Sequence, residues 1–386
     1  MRFRFQRLTT VYPEFAERFV ARVPNVRDLS YDALYARLTA ARFAESDYHA
    51  RHMGALGHAA QNCFLSLEPL QRRWAAEHGV NFRDKHWLAD IAVEQVRAFQ
   101  PDVLFLDDLY VLDRSLRTRL RRACAHRPLV IGWRAAPTDE FEGFDDLDLV
   151  LTSIRGMADA FRRAGANAAV LHHGFETSVL EEFVPPPVRD IEFSFAGGLG
   201  NLHPERATMV TEMLARTPLE IWGANPQVRF KDRLRWLAGR VGVPLKTKYR
   251  MRTLPLAYPG RIHPAAFGLD YYDVLARSKI VLNRHIGCAG NDASNMRMFE
   301  ATGMGACLLT DNKRNLAELF EPGVEVVTYD SVDDAIEKVD WLLEHDVERE
   351  AIAAAGQRRT LEDHSFAARV KTLEGIIGDQ LCRKAA

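Results

Sequence analysis

The feature that most constrains this chain is a series of short apolar segments, rich in Val, Ile, Leu and Phe, alternating with amphipathic helical patterns. The main ones are VLFLDD (103–108), LVIGW (129–133), LDLVLTS (147–153), AAVLHHG (168–174), IEFSFAGG (191–198), LEIWG (219–223), KIVLNRH (279–285), ACLLTD (306–311) and VEVVTYD (324–330). Near-continuous apolar runs suit parallel strands covered by helices on both faces of a sheet. In the intervening 114–124, Leu116, Leu120 and Cys124 share one helical face while Arg114, Arg117, Arg121 and Arg122 lie largely elsewhere. The pattern predicts alternating βα architecture.

A chain of 386 residues exceeds one ordinary core and predicts two domains. The boundary is expected at EEFVPPPVRD (181–190), where three consecutive prolines continue neither a helix nor a central strand. That gives an N-terminal α/β domain over 1–180, with a helical insertion at 11–40 and a helix at 44–56. A C-terminal α/β domain over 191–386 follows, closing with helices near 331–345, 347–357 and 365–378. Ligands are expected in a cleft between two such domains, at the carboxyl ends of the strands.

Composition acts by exclusion. With 51 Lys and Arg against 52 Asp and Glu, the net charge of −1 argues against nucleic acid as a partner. The N-terminal MRFRFQRLTT has no apolar stretch behind its arginines, and no segment approaches about 18 uninterrupted apolar residues. A cytoplasmic protein is the expectation. Cys63, Cys124, Cys288, Cys307 and Cys382 show no CxxC spacing, and no His or Cys cluster has the spacing of metal ligands.

The chemistry concentrates in NMRMFEATGMGACLLTD (295–311). The strand KIVLNRH leads into the small-residue loop IGCAGNDASN and then a helix. Such a loop leaves backbone N–H groups open and the helix N-terminus adds partial positive charge, so a diphosphate can bind there. Gly287, Gly290 and Ser294 suit that cradle. Helical spacing places Met296, Phe299 and Gly303 on one face and Arg297 with Glu300 on another. Glu300 can then accept hydrogen bonds from both ribose hydroxyls, although spacing equally allows a surface Arg297–Glu300 pair.

The run 278–331 resembles the sugar-nucleotide domain of GT-B glycosyltransferases, especially the bacterial group-1 branch that includes CgeB-like proteins. The resemblance is carried by Asn295, Arg297, Phe299, Glu300 and Ala301, by Gly303 and Gly305, by Thr310-Asp311 and by ELFEPG at 318–323. It extends more weakly to DYHARHMGALGHAAQ (47–61) and LHHGFET (171–177). It implies an α/β, GT-B-like fold of two doubly wound Rossmann-type domains facing a central cleft. It also implies metal-independent hexosyl transfer from a nucleotide-sugar donor to a glycan, lipid-linked or protein acceptor, with no further cofactor. In the family the residue at Glu300 binds the ribose, and the preceding loop, here with Gly290, Ser294 and Asn295, holds the diphosphate. The family's acid eight positions earlier is Asp292 here, which keeps the charge but not the reach, so no sugar contact is assigned to it. FAGGLGNLHPER (195–206) takes the place of the glycine turn and basic phosphate contact, bringing in Gly197, Gly198 and Arg206.

A departing nucleotide diphosphate gains negative charge, and Arg284 and Arg297 are the guanidinium groups expected to meet it, with structural ion pairing as the alternative. His173 can contact the donor sugar or relay a proton, or be an ordinary core histidine. Asp107 and Asp108, ending an apolar strand, can supply the base of an inverting reaction, or cap a helix. A metal-binding DxD reading of Asp107-Asp108 or of Asp145-Asp146-Leu147-Asp148 is disfavoured by the doubly wound element order.

Residues 229–252 hold nine basic side chains against one acid, Asp232, with Trp236, Leu237 and Val241 interleaved. Three uses fit: a peripheral contact at the inner face of the membrane, a pocket for an acidic acceptor, or a solvated surface. Two rivals to transfer also fit the same fold, a sugar-nucleotide epimerase and a catalytically inactive nucleotide-sugar-binding protein.

Overall fold

The computed structural model describes residues 1–136, 138, 141–198, 204–223, 228–240, 243 and 246–385. The chain forms two compact units, one of Met1–His172 with Phe366–Ala386 and one of His173–Ser365.

In the first unit the described strands are β1 (Arg4–Thr9), β2 (Ala59–Phe64), β3 (Val103–Leu106), β4 (Leu129–Trp133), β5 (Leu149–Thr152) and β6 (Ala168–Val170). They form one sheet in the order β2-β1-β3-β4-β5-β6, every pair parallel. Every residue of β3 and β5 is buried, which is why those segments read as unbroken apolar runs. Phe5, Phe105, Ile131 and Leu151 form one face of the core together with Phe366, Val370, Leu373 and Ile377 of the last helix, Phe366–Ala385.

The second unit contains β7 (Ile191–Ala196), β8 (Leu219–Trp222), β9 (Ile262–His263), β10 (Ser278–Asn283), β11 (Cys307–Asp311) and β12 (Val327–Tyr329). Their order is β12-β11-β10-β7-β8-β9, again all parallel. The chain runs from β7 outward to β9, then returns to β10 on the other side of β7. Strand order therefore reverses between β7 and β10, where open α/β sheets leave a crevice at their carboxyl ends.

Two doubly wound α/β units are thus present, as the alternation predicts. Three strands carry little signal. In β1 the buried residues include Gln6 and Arg7, one on each face, in β2 Asn62 is buried, and β9 is only two residues long. β6 stops at Val170, so 171–174 is connecting coil rather than strand.

The units divide at His172/His173 and not at the prolines of 181–190. Phe175 and Val179 are already sealed in the second core, so the chain has joined that unit before the prolines begin. The helix expected at 365–378 packs with the first unit rather than closing the second, because its apolar face completes the β1–β5 core.

Candidate active site

Two arginines, Arg206 buried and Arg297 half-buried, converge at the reversal point of the second sheet. Arg206, on the helix Pro204–Arg216, donates to the carbonyls of Gly198 (3.3 Å) and Arg284 (3.0 Å). Arg297, on the helix Met296–Gly303, donates to the Ala196 carbonyl (2.9 Å) and to Asn283 Oδ1 (3.3 Å). Both guanidinium groups lie over the Phe195 ring, at 5.9 and 4.8 Å. Among the described residues neither forms an ion pair with a carboxylate, and Arg206 Nε is buried with no partner. Burial, then the charge of Arg297, pushes the Arg206 guanidinium down to about 10. A buried guanidinium held by carbonyls beside a second cation suits an incoming anion.

The glycine turn makes this approach possible. A Cβ on Gly197 would overlap the Arg297 guanidinium, and one on Gly223 would overlap the Gly197 carbonyl. Gly198 is exposed beside them, and its carbonyl anchors Arg206. Residues 199–203 of the segment 195–206 lie outside the described residues. Arg284 follows β10, and its charge acts on Arg206 and on Tyr329, which donates to the Asn283 carbonyl at 2.8 Å.

The loop before the helix is braced from below. Gly287–Ala289 make a single 3-10 turn ended by Gly290 in the left-handed region (φ 55°), and the Gly290 carbonyl accepts from Lys313 Nζ at 2.7 Å. Asn315 brackets Ala293, accepting its N–H at 2.6 Å and donating to its carbonyl at 3.2 Å. Ser294 is buried at the end of this loop. Asn295, the N-cap, donates to Asn283 Oδ1 at 2.6 Å, while its own Oδ1 is buried without a donor. Asp292 is buried and paired with Arg314 at 3.3 Å.

Glu300 is only 7% exposed, so the surface-pair alternative does not describe it. Its Oε2 accepts from the Tyr271 hydroxyl at 2.7 Å. Burial first, then the Glu300 charge, raises the Tyr271 phenol far above its usual range, while Arg297 acts on the same hydroxyl in the opposite direction. Tyr271 thus links the carboxylate to the arginine cluster. Phe299 turns the other way, against Phe320 and His364 in the core.

The structure therefore gathers Gly197, Gly198, Arg206, Arg284, Asn295, Arg297 and Glu300 in the second unit. Asp107 and Asp108 belong to the first. Asp107 Oδ2 accepts from Arg7 and from the Thr9 hydroxyl, both at 2.6 Å, and burial raises its pKa against the pull of Arg7. Asp108 accepts from the Thr10 hydroxyl (2.7 Å) and from the N–H groups of Tyr110 (3.0 Å) and Val111 (3.2 Å). The next helix is capped instead by Asp113. His173 is half-buried in coil, three residues beyond β6. Asp145 and Asp146 pair with Arg114 and Arg117, and Asp148 takes the Val130 N–H at 2.7 Å, so the acidic run serves ion pairs and a backbone cap. Among the described residues no group of three His, Cys, Asp or Glu side chains is placed to hold a metal ion. Tyr271, Asn283 and Tyr329 escape sequence reasoning; of these, Asn283 is the one with a signal, a polar residue ending the apolar run KIVLN.

Residues 206–375 match the model of a family described as glycosyl transferase-like. No curated protein matches the chain. Several solved structures share its fold over nearly the whole length. HepE of Anabaena, solved in complex with UDP-glucose, aligns with a TM-score of 0.58 and 11% identity over 98% of this chain and 100% of that one. A glycosyltransferase from Rickettsia africae gives a TM-score of 0.57 and 9% identity over 98% and 99%. Sucrose-phosphate synthase from Thermosynechococcus elongatus gives 0.55 and 10% over 98% and 100%. At such identities the likeness establishes architecture: two Rossmann-type units in the GT-B arrangement of elements.

Proposed function

We propose that this chain is a glycosyltransferase that holds a nucleotide-sugar donor in its second unit and passes the sugar to an acceptor hydroxyl. The observation that carries the reading is the pair of guanidinium groups, Arg206 buried and Arg297 half-buried, held by backbone carbonyls and, among the described residues, without carboxylate partners at the reversal point of a parallel sheet. The family match over 206–375 covers these residues, and HepE, of the same fold, was solved with UDP-glucose, which favours a UDP-sugar here. Placement in the CgeB-like branch rests on the run 278–331 and belongs to the same proposal.

The donor diphosphate lies against Arg206, Arg297 and Arg284, with Gly197, Gly198 and the N–H groups around Gly290, Ser294 and Asn295. Glu300, oriented by Tyr271, accepts from the ribose hydroxyls. As the sugar–phosphate bond breaks, charge grows on the leaving diphosphate, and cations already held in place stabilise it without reorganising. These guanidinium groups meet the leaving group's charge within the chain itself, so the proposal assigns no metal ion to the step. His173 is assigned a contact with the donor sugar. An inverting outcome draws its base from Asp107 or Asp108. The acceptor is a glycan, a lipid-linked carrier or a protein.

The test is thermal stabilisation by UDP-, GDP-, CMP- and TDP-sugars, followed by turnover with candidate acceptors. A rise in melting temperature with one nucleotide series and acceptor-dependent release of its nucleotide are expected. Interconversion of the donor without acceptor would point to an epimerase, and no response to any nucleotide would overturn the site.

A further inference from the structure

The helix Phe230–Arg240 wears its amphipathicity outward. Phe230, Leu234 and Leu237, at spacing i, i+4, i+7, fall within one narrow arc and are 74%, 52% and 53% exposed. Lys231, Arg233 and Arg240 are exposed on either side of that arc. Asp232, the single acid of 229–252, is turned inward, where it is 2% exposed and pairs with Arg235 at 2.8 Å. Trp236 is half-buried with Arg240 over its ring, while Val241 lies outside the described residues. The outer face therefore presents an apolar ridge flanked only by cations, on a chain whose net charge is −1.

We propose that this helix seats the protein on an anionic lipid surface, with Phe230, Leu234 and Leu237 inserted at the headgroup boundary and Lys231, Arg233 and Arg240 meeting lipid phosphates. A ridge one helix wide matches the shallow depth an interfacial helix reaches, ~5–10 Å. The flanking cations fit the anionic headgroups and exclude a purely zwitterionic surface as the target. The docking stands on the helix alone. Its corollary, that the acceptor hydroxyl is carried on a lipid, rests on the transferase reading.

The experiment is co-sedimentation of the full chain with phosphatidylcholine vesicles with and without phosphatidylglycerol. Binding is expected only with phosphatidylglycerol, and it should weaken on the order of tenfold when salt is raised. The double variant Leu234→Glu/Leu237→Glu should lose on the order of tenfold or more in vesicle affinity, and Lys231→Glu/Arg233→Glu should do the same. Both should keep the wild-type melting temperature and nucleotide response. Absence of wild-type binding to anionic vesicles, or undiminished binding by the leucine variant, would overturn the proposal. So would a wild-type dimer that the leucine variant dissolves without any lipid binding, since the ridge would then be a self-association surface. Loss of the nucleotide response with vesicle binding intact would sink the transferase reading and leave this one standing.

Discussion

Arg297 occupies the space a side chain at position 197 would need, so the glycine and the arginine are one device. Gly197→Ala should displace the guanidinium and weaken donor binding by roughly tenfold or more while the fold survives; calorimetry with the stabilising nucleotide reads this directly. Glu300→Ala should cost more, roughly ten- to a hundredfold, because hydrogen bonds to a charged carboxylate are worth about 1.5–3 kcal/mol. Unchanged affinity in that variant would remove Glu300 from the site. Asp311 offers a pH test. Burial raises its carboxyl, but the hydrogen bond and charge of His285, with Lys313, bring it down to about 2. A depressed folded pKa stabilises the protein above the unfolded carboxylate range, and this is lost as pH falls from about 4 towards 2. Asp311→Asn should therefore flatten the acid-unfolding curve in that window, followed by circular dichroism. Glu300 stands out in the sequence only through the motif of the resembled family, since its spacing from Arg297 equally allows a surface pair. Tyr271 is not, since the hydrogen bond that gives it meaning spans 29 positions.

Strands are legible where burial on both faces leaves almost only apolar residues, as in β3 and β5, and obscure where the sheet buries polar groups held by distant partners. Arg7 shows why. It is 2% exposed, yet it donates to the Ser46 carbonyl (2.7 Å), Asn62 Oδ1 (3.2 Å) and Asp107 (2.6 Å), a network whose members come from three distant segments. No local pattern announces it. The helix Met296–Gly303 is read correctly from its loop and spacing, but its tightest constraint lies elsewhere: a Cβ on Gly303 would overlap the Phe175 ring. Gly303→Ala should destabilise the second unit by about 1–3 kcal/mol, with Phe175→Leu partly restoring it, as urea titration would show. A failure of the pair to couple would mean that the ring does not fix this helix.

The two units are built from unequal pieces of chain. The second is one continuous stretch, His173–Ser365, whereas the first is completed by residues 366 onward. The prolines at 185–187 mislead on this point because a local breaker marks only where the backbone cannot be regular, not where one core ends and the next begins. Removing 366–386 should expose Phe5, Phe105 and Leu151, lowering the first unit's stability enough for aggregation that light scattering detects, while a fragment of 173–365 stays folded. The same arrangement orders events in time. During synthesis, 1–172 must wait with an open core while nearly two hundred further residues are made, and the second unit, built from one continuous stretch, can fold during that wait. The unit begun first is therefore finished last.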